Sequence, residues 1–245
     1  MPSSPHRRDG PGAFDAAGIP GAATARVRPA DAGDHSLTLA GLGATAPFGT
    51  VLADPPCRFT NRTGKVAPEH RRLSRYDTMT TEEIAALPVG GLVADRAHCY
   101  LWAPNALLGE ALMVLHSWGF SYKANIVWAK RRADGGPDGR GVGFYFRNVT
   151  ELILFGVKGR LRTLPPGRTQ VNMIEARKRE HSRKPDEQYA LVESCSPGPY
   201  LELFARYPRT GWAVWGHEAD RGVVPRGRPH RGYGAGPDRA ARPTS

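Results

Sequence analysis

Cysteine is scarce in this chain, and what there is does not pair. Three thiols, Cys57, Cys99 and Cys195, are scattered along 245 residues with no Cys-x-x-Cys spacing. That argues against a zinc ribbon or a disulfide framework and for a reducing, cytoplasmic setting. The histidines show no ligand spacing either, so no metal is expected. Long apolar runs are also missing: none approaches the ~20 residues a membrane span needs, and the N-terminus has no signal-peptide core. A membrane partner is therefore not expected. Periodic apolar residues are absent from 1–35 and from 219–245, which are rich in Gly, Ala and Pro with Asp or Arg. Both stretches read as disordered tails.

What remains, residues 36–218, is enough for one sizeable domain in a chain that is 40% hydrophobic. Charge is uneven. The last tail has six Arg against two Asp, the first has four against four, and the total of +11 leaves +7 for the domain between them. A basic domain with an Arg/Gly/Pro-rich tail suits a polyanionic partner such as nucleic acid.

Short apolar runs without alternation mark strands covered on both faces. They fall at Val51–Ala53, His98–Trp102, Ala124–Trp128, Leu152–Gly156, Tyr200–Phe204 and Trp212–Gly216. Helical patterns lie between them. Thr80 with Glu83 makes a capping box that opens a helix through Ala86. Asn105 is placed to cap a second helix with Leu108, Ala111, Leu112 and Leu115 on one face, ending at Gly119. Pro185, Asp186 and Glu187 open a third, carrying Tyr189, Leu191 and Val192. Strand–helix alternation of this kind predicts a doubly wound α/β sandwich, a mostly parallel sheet with helices on both faces. Residues 58–79 and 129–147 fit no regular element and read as two basic loops leaving strand ends, suited to cover an anionic substrate.

The sequence Asp54-Pro55-Pro56-Cys57 follows the first strand. It sets a carboxylate and two proline carbonyls at a strand's C-terminal edge, where ligands of open α/β sheets bind. Proline fixes φ and lacks an N–H, so the carbonyls are expected to stay free of a following helix. An acid and a carbonyl there can accept both protons of an exocyclic amino group. As a bare tetrapeptide this is equally an ordinary Pro-Pro turn.

Further blocks follow in order: Tyr76-Asp77-Thr78-Met79, Leu101-Trp102, Trp118-Gly119-Phe120, Val127-Trp128-Ala129-Lys130 and Gly156-Val157-Lys158-Gly159. Then come His181-Ser182-Arg183-Lys184-Pro185-Asp186-Glu187, Leu201-Glu202-Leu203-Phe204-Ala205-Arg206 and Trp215-Gly216-His217-Glu218. Over about residues 50–218 this order resembles the MT-A-seventy family of adenine-N6 methyltransferases. The resemblance implies a Rossmann-like methyltransferase sandwich with permuted motif order, and S-adenosyl-L-methionine as cofactor. It implies that Asp54, Pro55 and Pro56 hold the target amine, with Cys57, Phe59, Tyr76 and Lys130 toward the substrate. Lys184 would meet the methionine end of the cofactor, Arg206 the ribose, and His217 and Glu218 the adenine.

Three departures from the family pattern bear on activity, one of them Tyr207-Pro208-Arg209 after Arg206, where the eukaryotic pattern has polar ribose contacts. Cys57 stands where most members carry an aromatic ring that stacks on the target base, a contact worth ~1–3 kcal/mol. His217 replaces an asparagine. Asp54 is retained, so the implied function is an active enzyme on nucleic acid, DNA ahead of RNA by analogy with bacterial members. A non-catalytic nucleic-acid-binding module of the same fold and an RNA adenine methyltransferase are the alternatives, and a specificity partner or a homodimer stays open. The five tryptophans read as core. Glu202, inside an apolar strand, either pairs with a buried Arg or lines the cofactor site.

Overall fold

A computed structural model describes residues 39, 42, 47–58, 78–139, 145–179 and 183–216. Phe59, Tyr76, His217, Glu218 and both expected tails lie outside the described residues.

Seven strands form one sheet: β1 (Phe48–Ala53), β2 (Val93–Ala103), β3 (Ser121–Arg131), β4 (Thr150–Lys158), β5 (Met173–Arg177), β6 (Tyr200–Leu203) and β7 (Trp212–Trp215), in the spatial order β5-β3-β4-β2-β1-β6-β7. β1 pairs in parallel with β2 and β6, β6 with β7, and β3 with β5; β4 runs antiparallel to both its neighbours. The sheet is thus mostly parallel, as its unbroken apolar runs predict. One consequence matters for function. The C-terminal ends of β1, β2, β3 and β6 share an edge with the first residues of β4.

The central strands are buried on both faces, and alternate residues feed two cores. Val51 and Ala53 of β1 face one core, with Cys99 and Leu101 of β2 and Leu115 and Trp118 beside them. Leu52 faces the other, with Tyr100, Trp102, Ile153 and Val192. Each fully buried Leu, Val or Ile contributes roughly 1.5–3 kcal/mol. Helix α1 (Thr81–Ala85), helix α2 (Val89–Leu92) and helix α3 (Leu108–Ser117) supply the first core; helix α4 (Glu187–Cys195) supplies the second. All five tryptophans are at most 3% exposed, as a packing role requires.

Local signals hold at several ends. Thr80 and Glu83 form the capping box with both reciprocal bonds present. Gly119 has φ +85°, the left-handed conformation that ends a helix without a Cβ penalty. Gly216 is needed for a different reason: a Cβ there would come within 2.3 Å of the Ala205 carbonyl oxygen, where the chain leaving β6 passes the end of β7.

Four expectations change. Asn105 does not cap a helix; it starts a 3-10 turn (Asn105–Leu107) and its amide donates to the Thr150 carbonyl and hydroxyl of β4. The buried face of α3 is Ala111, Val114 and Leu115, while Leu108 is 38% exposed: with Leu107 as its N-cap, the helix begins two residues later than an Asn105 cap implies. Pro185 precedes α4, and Asp186 takes the N-cap position. The expected loop 129–147 is partly strand: β3 runs to Arg131 because β5, an edge strand with no expected counterpart, pairs with it through Arg131↔Arg177.

Candidate active site

β1 delivers Asp54 to the shared edge immediately after Ala53, the last residue of the strand. Its Oδ1 is 3.0 Å from Lys184 Nζ, and the same ammonium is 3.1 Å from Glu151 Oε2. Glu151 in turn meets Lys130 at 2.5 Å through Oε1. Two carboxylates and two ammonium groups therefore alternate across β1, the segment before α4, β4 and β3. Their formal charges cancel. Lys184 also lies 4.9 Å from the centroid of the Trp102 ring, a cation–π contact that fixes it from below.

Electrostatics follow from that geometry. Burial raises the Asp54 pKa above its ordinary value, and Lys184 is the main force opposing the rise. Burial alone would lower Lys184, but Asp54 and Glu151 outweigh it and leave the ammonium more firmly protonated than a free lysine. Burial likewise pushes Glu151 up, yet Lys184 and Lys130 together hold it below its ordinary value. Cys57 is driven up to about 11, first by burial and then by Asp54, so it is a neutral thiol at physiological pH.

Lys184 is aimed by its neighbours. Asp186, fully buried, accepts from Arg183 Nη2 at 2.8 Å and pairs with Arg179 as well. Having given its carboxylate to these arginines, Asp186 makes no side-chain cap bond to α4.

The proline carbonyls correct an expectation. Pro55 O accepts from Cys57 N at 2.8 Å, and Pro56 O accepts from Met79 N at 2.9 Å. They are not free: Cys57 folds back onto the first, and Met79, which bridges to Cys57 as a short parallel pair, takes the second. A carbonyl oxygen has two lone pairs, so each retains acceptor capacity.

Beside Asp54 opens a cleft of about 420 Å³, part of it open to solvent, bordered by Trp102, Lys184, Tyr189, Glu202, Arg206 and Tyr207. At its rim Phe204 has φ 61°, uncommon for a residue with a side chain, and the strand ends there as the chain turns toward Arg206. The choice left open for Glu202 resolves toward the cleft. Tyr189 Oη donates to it at 3.0 Å, and burial pushes its pKa up to about 8.

Of the expected site residues, Asp54, Lys184 and Arg206 border one cleft. Lys130 joins them indirectly through Glu151; it sits on β3 and is 7% exposed, not on a mobile basic loop. Cys57 packs partly against the first core. Glu151 was not singled out by sequence. Its one signal is an acid at the mouth of an apolar run, and only the antiparallel course of β4 brings that mouth to the cleft. Among the described residues, no group of three or more His, Cys, Asp or Glu is placed to hold a metal, and no helix is long and apolar enough to cross a membrane.

A family model described as MT-A70 matches residues 48–218, from the first residue of β1 onward. An Arabidopsis thaliana N(6)-adenosine-methyltransferase MT-A70-like protein is 31% identical over 70% of this chain and 24% of its own length. The human N(6)-adenosine-methyltransferase catalytic subunit METTL3 is 29% identical over 71% of this chain and 28% of its own. The Type II methyltransferase M.MunI of Mycoplasma sp is 29% identical over 59% of this chain and 60% of its own. The shared stretch is thus about a quarter of the eukaryotic relatives and under two thirds of M.MunI.

Proposed function

The chain belongs to the MT-A70 family, and we propose that it is an S-adenosylmethionine-dependent methyltransferase acting on the N6 amine of adenine in nucleic acid, DNA before RNA. One observation carries the reading: a carboxylate at the C-terminal end of β1, held by Lys184 at 3.0 Å, opens directly onto the cleft.

The cleft's donor set fits the cofactor. Lys184 offers an ammonium for a carboxylate, Glu202 and Arg206 offer polar groups for ribose hydroxyls, and Trp102 and Tyr207 offer apolar faces. His217 and Glu218, just past Gly216, complete the set in this reading. When bound, the cofactor supplies an electrophilic methyl group.

The protein's own task is to make a poor nucleophile react. The N6 lone pair of adenine is delocalised into its ring. Asp54 accepts one amine proton through the oxygen that Lys184 leaves, and the remaining lone pair of Pro55 O accepts the other. Both interactions strengthen as positive charge builds on nitrogen, which is transition-state stabilisation by fixed acceptors. Lys184 favours the ionised form of Asp54 against the effect of burial, and Glu151 keeps Lys184 in place. Fixing the amine against the cofactor's methyl contributes further through proximity.

Nucleic acid is supported by the +11 charge and by Tyr145 and Phe146, which are 94% and 85% exposed a few residues before Glu151. With Cys57 unable to stack, these rings and Phe59 and Tyr76 are the candidates for base contacts. Three free cysteines suit the reducing cytoplasm.

The test is transfer from methyl-labelled S-adenosylmethionine to single- and double-stranded DNA and RNA, followed by digestion to nucleosides. Label in N6-methyladenine nucleoside supports the reading and names the polymer. Cofactor binding without transfer to any polymer would favour the non-catalytic binding module instead.

A further inference from the structure

Glu202 sits inside β6, opposite Leu52 of β1 and Val214 of β7, with its carboxylate at the floor of the cleft. Both its oxygens accept from one group, the Tyr189 hydroxyl, at 3.0 and 3.1 Å. One proton is thin support for a buried carboxylate. The support itself is firmly held. The Tyr189 ring lies under the Arg209 guanidinium at 4.2 Å and meets Trp212 edge-on at 5.4 Å. Glu193 Oε1 then ties those two together, accepting from Arg209 Nη2 at 2.9 Å and Trp212 Nε1 at 2.8 Å. A relay of four side chains from α4, the β6–β7 link and the start of β7 thus ends on one hydroxyl bonded to Glu202.

We infer that Tyr189 is a positioning residue: clamped by Arg209 and Trp212, its hydroxyl holds the Glu202 carboxylate toward the cleft, where it accepts hydrogen bonds from the hydroxyl groups of a bound nucleoside. This deepens the methyltransferase reading and rests on it for the ligand. A phenylalanine would fill the same space and keep the ring contacts, so nothing but the hydroxyl distinguishes the two side chains.

The groups facing Glu202 set the direction of its pH behaviour. Burial pushes its pKa up to about 8; the Tyr189 hydrogen bond is the main force lowering it, Asp54 on β1 raises it and Arg209 lowers it. Arg183, Lys184, Arg206 and Tyr207 border the same cleft. An ionised carboxylate accepts from two hydroxyls, whereas the neutral acid must donate its own proton. Nucleoside affinity therefore rises with pH as Glu202 ionises.

Two readouts on Tyr189→Phe separate this inference from the reading beneath it. The first is the pH titration of the Glu202 carboxyl carbon by NMR, which needs no ligand. Loss of the hydroxyl moves the midpoint up by about one pH unit, from about 8 in the wild type. The second is S-adenosylhomocysteine binding by calorimetry across pH 6.5 to 10 (a range chosen to bracket both midpoints). Tyr189→Phe should bind about tenfold more weakly at pH 7 and converge with wild type at the alkaline end. Glu202→Gln should bind with little pH dependence, and adding Tyr189→Phe to it should change nothing. An unmoved Glu202 midpoint, or equal affinities for wild type and Tyr189→Phe at pH 7, would reduce Tyr189 to a packing residue. A moved midpoint in a protein that binds no S-adenosylhomocysteine at any pH would keep the positioning role and sink the cofactor reading.

Discussion

Two polar clusters lie in opposite halves of the same central strands, one partly exposed and one sealed. Toward the C-terminal edge, Asp54, Lys184, Glu151 and Lys130 alternate in charge beside an open cleft. In the other half, level with Thr50 of β1, His98 Nδ1 and Tyr100 Oη each lie 2.7 Å from the Ser196 hydroxyl, all three at most 1% exposed. The second cluster is neutral and sealed, and it pins the end of α4 to the sheet. Buried ion pairs are weak contributors to stability because desolvation opposes them, while neutral hydrogen bonds give a modest net gain. Of these two clusters, the neutral one only holds the fold together, whereas the charged one sits where the cleft opens.

The comparison can be broken first at Lys184. Lys184→Met removes the cation opposing the rise in Asp54 pKa, and methyl transfer should fall by roughly 10²-fold. Its acid limb should also move to higher pH, since Asp54 stays protonated longer without that cation. A pH–rate profile checks both effects, and an unmoved limb would deny the Asp54–Lys184 coupling. A smaller effect is expected from Tyr145→Ala with Phe146→Ala. Nucleic-acid affinity should weaken by about 1–3 kcal/mol per stacked base with cofactor affinity unchanged, as fluorescence anisotropy on labelled oligonucleotides would show.

The sealed cluster should answer differently. Ser196→Ala should cost about 1–3 kcal/mol of stability, from the two partners left unpaired, with the rate per folded molecule unchanged. Denaturant titration alongside a transfer assay decides this.

The smallest effect is a pair of opposed pH slopes. Burial lowers the His98 pKa, so the unfolded chain binds the proton more tightly and stability drops as pH falls below the ordinary histidine value of about 6.5. Glu202 runs the other way: its folded pKa of about 8 lies above the ordinary value of 4.5, so stability drops as pH rises between the two. Glu202→Gln should therefore raise the melting temperature at pH 8, with the gain fading toward pH 5. A gain that grew toward acid would contradict the assignment.

The fold was readable where a local rule acts alone. The Thr80–Glu83 capping box, the left-handed Gly119 and the doubly covered strands need only near neighbours. β5 was not readable: its five residues alternate exposed and buried at the sheet edge, and their pattern merges into the basic run that follows. Asn105 looked like a cap because its alternative partner, Thr150, is 45 residues away. The site shows the same division. Asp54, Lys184 and Arg206 stand in recognisable blocks, whereas Glu151 and Tyr189 gain their roles from β4 running backwards and from a tyrosine on α4 reaching β6. Those are facts of packing that no local spacing records.

The most direct test is single-turnover methyl transfer by wild type and Asp54→Asn at saturating cofactor and polymer, with S-adenosylhomocysteine affinity measured on both. The account predicts a loss of about 100-fold or more in the transfer step, with cofactor affinity retained because Lys184 keeps Glu151 as its partner. Transfer by Asp54→Asn at close to the wild-type rate would contradict it.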